Sequence, residues 1–141
     1  MTMLVVAPAG ATDAAAVMPV IQRWVDGFNS GDANSAAAAC ADETSLLDDF
    51  PPHEWHGPGA CARWFADFQK MARSDGITKA AITVGQPSHV ELSVDFAYVV
   101  APVTLAFLHN GRSVLDDGIL TVTLHKGASG WRLTGWAWSD R

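Results

Sequence analysis

The sequence predicts an α+β domain in which helices come first and a curved antiparallel sheet follows. Three observations carry this. Apolar residues recur at helical spacing only before Ile77; the stretch after Ile77 reads as strands throughout; and Asn110-Gly111 interrupts it with the pair that a tight type I′ hairpin turn needs, since both of its central positions require positive φ. Three helices are expected to cover one face of the sheet.

Residues 1–12 lack a clear period and contain Pro8 and Gly10, so they read as a flexible tail, leaving 13–141 as one domain. The tail has no basic segment and is too short for a membrane span, so a soluble cytoplasmic protein is expected, with a weak export signal as the alternative. The first helix carries Ile21, Trp24, Val25 and Phe28 at helical spacing, with Pro19 expected in its first turn. Asn29-Ser30-Gly31 stops it, Gly31 being the left-handed cap. Asp32 can cap a short second helix over Ala33–Cys40. Thr44–Asp48 is a short strand, and a loop from Asp49 to Gly59 leads to a third helix over Ala60–Arg73. That helix places Trp64, Phe68 and Met71 on one side and Arg63, Asp67 and Lys70 on the other; Asp75-Gly76 ends it. Long strands are expected at about 78–92, 95–109, 112–126 and 131–139.

The 141 residues are 49% hydrophobic and 17% charged, a balance that excludes disorder. Net charge is −6, with no basic stripe to neutralise phosphates, so no nucleic-acid partner is expected. Cys40 and Cys61 have no metal-like spacing and are expected to be packing residues without a disulfide. Six tryptophans suit a core, a pocket wall or an interface.

The segment Leu46-Leu47-Asp48-Asp49-Phe50-Pro51-Pro52-His53-Glu54-Trp55-His56-Gly57 is the strongest candidate for chemistry. A carboxylate at the edge of an apolar pocket is costly to ionise, so its pKa rises and it can act as a base. The same residues also suit ordinary loop punctuation. Asp48 and Asp49 are both candidates, because a slip of one residue at the strand end exchanges which one faces inward. His53 or His56 could assist as a proton partner. Trp55 is either a lid over the pocket mouth or a plug packed on the third helix. His53 and His56 with the nearby acids lack the rigid helical presentation of a zinc site, so neither metal nor cofactor is expected.

Counting outward from the Asn110-Gly111 turn, Val103, Leu105 and Phe107 share a face with Val114, Asp116, Gly118 and Leu120. Thr104, Asp117, Thr121 and Thr123 fall on the opposite, more polar face. Asp116 is then either a pocket acid or a strand-end residue reaching solvent. On the last strand Arg132, Thr134, Trp136 and Trp138 fall on one side by period two; the two tryptophans suit a core, an interface or a cavity for a flat ligand.

The segment Val20-Ile21-Gln22-Arg23-Trp24-Val25-Asp26-Gly27-Phe28-Asn29-Ser30-Gly31-Asp32 resembles the first helix and turn of ketosteroid isomerases and their SnoaL-like relatives in the NTF2-like superfamily. The order of elements is similar over residues 17–140. The resemblance implies a cone-shaped α+β barrel around an apolar pocket, with dimerisation through the sheet. It implies a small apolar, cyclic or conjugated ligand, with Asp48 at the position of the family's base. The family's oxyanion-stabilising positions fall on Trp24 and Leu120. An indole N–H can donate a hydrogen bond but is no comparable acid, and Asp116 stands roughly 13 Å from Leu120 along an extended strand. An isomerase, cyclase or lyase using Asp48 is therefore one expectation, and a non-catalytic ligand-binding or dimeric interaction module is the other.

Overall fold

A computed structural model describes residues 9–141 of the chain. Its elements are α1 (Ala9–Ser30), α2 (Ala33–Ala38), β1 (Cys40–Leu47), β2 (Glu54–Pro58), α3 (Ala60–Asp75), β3 (Ile77–Val84), β4 (His89–Leu92), β5 (Phe96–His109), β6 (Arg112–Gly127) and β7 (Gly130–Asp140). The tail expected at residues 1–12 lies outside the described residues up to residue 8, and residues 9–12 belong to α1. No helix among the described residues is long and apolar enough to cross a membrane.

α1 buries Val17, Val20, Ile21, Trp24, Val25 and Phe28, the stripe that its apolar spacing defines. The helix starts earlier than expected, so Pro19 lies inside it rather than in its first turn. The missing N–H leaves the carbonyl of residue 15 without its helical donor. Both Ala15 and Pro19 are exposed, so water can replace that donor. Gly31 takes a φ of 71° as the left-handed cap, and Asp32 accepts the Ser35 N–H at 3.1 Å as the cap of α2. Asn29 does more than stop the helix: its side chain donates to the Ile82 carbonyl at 2.9 Å and accepts the Ile82 N–H at 2.7 Å. One amide thereby pairs with β3 as a strand neighbour would, and ties α1 to the sheet.

The sheet runs in the order β2-β1-β7-β6-β5-β3, with β4 also paired to β5. The Asn110-Gly111 turn sets the expected register: His109 pairs with Arg112, Leu105 with Asp116 and Val103 with Gly118. Thr104 donates to Asp117 at 2.7 Å on the polar face. Four expectations are corrected. The sheet is mixed, because β1 runs parallel to β7. β1 begins at Cys40 rather than Thr44, and the expected loop contains β2, which pairs antiparallel with β1. The strand expected over 78–92 is two strands, split around Gly85-Gln86-Pro87. On β7, a register shift opposite Thr123/Leu124 breaks the period-two count. Leu133 and Trp136 are both buried, while Thr134 bonds Thr123 at 3.0 Å and is turned away from Trp136. An extra residue in one strand of a ladder produces this change of face.

Cys40 and Cys61 form a disulfide, with Cα atoms 6.6 Å apart, contrary to the expectation of two free packing cysteines. α2 ends before Cys40, which opens β1, while Cys61 lies in the first turn of α3; the two chain segments cross there with both side chains buried. Such bonds persist in oxidising compartments, which leaves the cytoplasmic expectation without support. The bond closes a loop of 21 residues, and restricting the unfolded chain in this way is worth about 3 kcal/mol. Chemical denaturation of Cys40→Ser/Cys61→Ser, or of the reduced protein, is expected to show a loss of that order. Unchanged stability, or two thiols titrating in the unfolded unreduced protein, would contradict the bond.

Candidate functional site

Between the inner faces of α1 and α3 and the sheet lies a cavity of about 200 Å³. Each wall follows from the patterning of one element. α1 contributes Trp24 and Phe28, α3 contributes Trp64, Phe68 and Met71, and the inward positions of β5 contribute Val103, Leu105 and Phe107. Asp116 and Leu120 on β6 and Trp136 and Trp138 on β7 complete the sheet side. Gly118 makes room for one of these rings: a Cβ there would lie 2.7 Å from Cε2 and Cζ2 of Trp138, so the absent side chain lets the indole lie against β6.

Strand alternation delivers the acid. Leu46 is fully buried and Leu47 is half exposed, so Asp48, the next residue, turns inward. Its Oδ2 accepts the Trp64 Nε1–H at 2.8 Å, and its Oδ1 accepts the Asp49 N–H at 2.8 Å. Burial pushes the Asp48 carboxyl up to about 6, against the lowering by these two hydrogen bonds and with a further upward push from the charge of Asp49. A carboxyl that titrates near neutrality is suited to take up and return a proton. The turn after Asp48 is held by its own backbone. The Asp48 N–H donates to the His53 carbonyl, and the His53 N–H donates to the Phe50 carbonyl, each at 2.9 Å. Phe50 is buried against Trp55 and Phe68, with centroids 5.2 and 5.9 Å away.

Asp48, Trp24, Asp116, Leu120, Trp136 and Trp138 are thus brought together around one cavity. Three others are not. His53 is exposed and its Nδ1 meets the Asp48 backbone carbonyl at 3.0 Å rather than the carboxylate. His56 is exposed on β2 and faces Glu54 at 3.2 Å. The alternation of β2 explains this: it turns Trp55 inward and His56 outward. Trp55 is buried and donates to Asp67 at 2.8 Å, outside the cavity lining. It is a plug beside α3 and not a lid.

The sequence reading missed two features. Trp64 is the donor to Asp48; its helical spacing marked it as apolar packing, but only the crossing of α3 over the end of β1 makes it a partner. The second is a rim of three carboxylates: Asp49, Asp116 and Asp140 present oxygen atoms within 4.8 Å of one another. Asp116 is raised from its ordinary value by burial first and then by the charges of Asp49, Asp140 and Asp117. Asp116 therefore both faces the cavity and reaches solvent, which joins the two alternatives left open for it. The indole N–H groups of Trp136 and Trp138 are buried with no acceptor among the described residues.

The raised carboxyl has a consequence for stability. The folded protein holds the Asp48 proton more tightly than the unfolded chain does, so this group makes stability fall as pH rises from about 4 to about 6, by up to roughly 3 kcal/mol. Asp48→Asn retains one acceptor oxygen and no charge. It is expected to stabilise the protein by about 1–2 kcal/mol above that window and by little below it. Denaturant melts at several pH values check this, and a variant that is less stable than wild type at neutral pH would contradict it.

No family model and no curated protein matches the chain. Solved structures do. A ketosteroid isomerase-like protein from Erwinia carotovora atroseptica is 17% identical with a TM-score of 0.71, the match covering 91% of this chain and 95% of that one. An NTF2-like superfamily protein from Salmonella enterica serovar Typhimurium is 15% identical with a TM-score of 0.76, over 94% and 93% of the two chains. An NTF2-like protein with a cystatin-like fold from Novosphingobium aromaticivorans is 17% identical with a TM-score of 0.74, over 92% and 82%. At these identities the likeness is one of architecture, and the chain has the NTF2-like fold.

Proposed function

We propose that this protein binds a small apolar, cyclic or conjugated molecule in the central cavity and moves a proton on it with Asp48, as an isomerase, cyclase or lyase. The observation that carries this reading is the Asp48 carboxyl itself, pushed up to about 6 by burial at the wall of an aromatic cavity and held by the Trp64 indole. A residue kept only for packing has no need of that placement. The likeness in fold to a ketosteroid isomerase-like protein agrees with it.

Asp48 would take a proton from a carbon of the bound molecule and return it to another. Trp64 would hold the carboxylate aligned and limit the rise of its pKa. By the resemblance in sequence, Trp24 and Leu120 would stand where ketosteroid isomerases place oxyanion-stabilising acids. Enolate stabilisation by such donors is worth about 3 kcal/mol each. Substrates whose own conjugation spreads the negative charge therefore suit this cavity best. His53 and His56 have no part in this reading, since both lie outside the cavity lining. A second reading is a non-catalytic ligand-binding module, favoured by the apolar Trp24 and Leu120. Dimerisation through the outer face of the sheet, where Leu47 and Tyr98 are exposed, belongs to the proposal as well and is checked by light scattering.

Turnover on a conjugated cyclic substrate is expected to drop about 10²–10⁴-fold in Asp48→Asn, with ligand binding retained. Retained turnover would sink the catalytic reading; retained binding without turnover in the wild type would select the module. Because the base form is required, kcat/KM should rise with pH and level off above about 6. Trp64→Phe removes a donor to the charged form, so it should move that inflection upward.

A further inference from the structure

We infer that the small ring molecule this cavity takes is apolar only in the part that enters it and is as a whole an organic cation: one or two rings lie among the aromatic side chains, and an ammonium lies at the rim formed by Asp49, Asp116 and Asp140. This rests on the reading of the cavity as a ligand site and names the class of ligand.

The charge inventory of the cavity is one-sided. Asp48, Asp49 and Asp116 line it, and among the described residues no Lys, Arg or His does. A ligand carrying a carboxylate or phosphate would bring a like charge within reach of all three, which disfavours it. Asp49 and Asp116 face the apolar space and also join Asp140 in the cluster within 4.8 Å. The acidic rim and the apolar cavity are therefore one continuous surface. The fold holds these carboxylates together without a counter-charge: the ion pairs among the described residues are His56–Glu54 and His89–Glu91, and neither involves the cluster. Like-charge repulsion contributes to the raised carboxyl of Asp116.

The aromatic lining is the independent observation that points to an organic rather than an inorganic cation. Trp24, Phe28, Phe50, Trp64, Phe68, Phe107, Trp136 and Trp138 all border the cavity. The Trp138 indole lies against Gly118, two residues along β6 from Asp116 on the same face and paired with Asp140 in the β6–β7 register. An ammonium beside Asp116 and Asp140 would thus lie near an indole, and electron-rich ring faces attract cations. A hydrated metal ion would use the carboxylates and gain nothing from the rings. Volume limits the apolar part. About 200 Å³ compares with the roughly 150 Å³ of a cavity that holds benzene, so one or two rings fit and a four-ring skeleton does not.

The test compares three probes that share a ring: 2-phenylethylamine, 2-phenylethanol and phenylacetate, titrated into the full chain at neutral pH and followed by tryptophan fluorescence and calorimetry. The amine is expected to bind about tenfold more tightly than the alcohol, and phenylacetate not to bind. Asp49→Asn/Asp116→Asn should bring the amine and the alcohol to equal affinity, with thermal melts confirming a folded variant. If the alcohol binds as well as the amine, the cation inference is overturned and the cavity reading stands. If no probe binds, the cavity reading fails and takes this inference with it. If calcium chloride alone raises the melting temperature while the amine is inert, the rim is an inorganic cation site and the inference is likewise overturned.

Discussion

The Asp48 carboxyl sits where an ionised group is expensive, at the point where β1 leaves the sheet and passes beneath α3. Most of the local architecture is arranged around keeping it there. Trp64 reaches down from α3 to hold one oxygen, and the Asp49 N–H holds the other. The backbone bonds among Asp48, Phe50 and His53 close the turn behind it, and the Cys40–Cys61 disulfide fixes the start of β1 to the start of α3. The strand that carries the acid is therefore tied twice to the start of α3, at its beginning by a covalent bond to Cys61 and just past its end by a hydrogen bond from Trp64. Between these two ties the aromatic contacts fill the space: Trp64 lies 5.6 Å from Trp24 and 4.8 Å from Trp136.

Two opposed effects set the state of that acid. Burial raises its pKa and the two donors lower it, with burial the larger. A single hydrogen bond to a charged group is worth about 1.5–3 kcal/mol, so the two donors keep the carboxyl titrating close to neutrality rather than far above it. That balance distinguishes a usable base from a permanently protonated one. The rim of Asp49, Asp116 and Asp140 lies in the same electrostatic neighbourhood. A positive ligand there would offset the charge of Asp49 that raises the Asp48 carboxyl, and would so ease the ionisation of Asp48. Ligand charge and base strength are coupled by geometry.

Much of the fold was legible because it follows from local rules. The helix stripes, the Gly31 cap, the Asp32 cap and the Asn110-Gly111 register are each dictated by a few neighbouring residues. The acid was legible as one of Asp48 and Asp49, because the pair continues an apolar strand into a turn; both line the cavity. The misses share a different cause. The parallel pairing of β1 with β7 and the disulfide depend on where distant segments meet. The bulge at Thr134 is a one-residue choice that no periodicity announces. In the site, Trp64 was visible as an apolar helical residue but not as a hydrogen-bond donor, and Asp140 joined the rim only through the β6–β7 register. His53 and His56 differ from expectation for local reasons: His53 lies beside the Asp48 backbone but turns its ring to the carbonyl and not the carboxylate, and the alternation of β2 turns His56 outward.

The most direct test of the central claim is a carbon-13 NMR titration of the Asp48 side-chain carboxyl, assigned by comparison with Asp48→Asn. A buried carboxyl held by Trp64 should titrate at about 6, with the Trp64 indole proton shifting over the same pH range as its acceptor loses charge. Titration near 4, in the ordinary carboxylate range, with an indifferent indole proton, would contradict the placement on which the account depends.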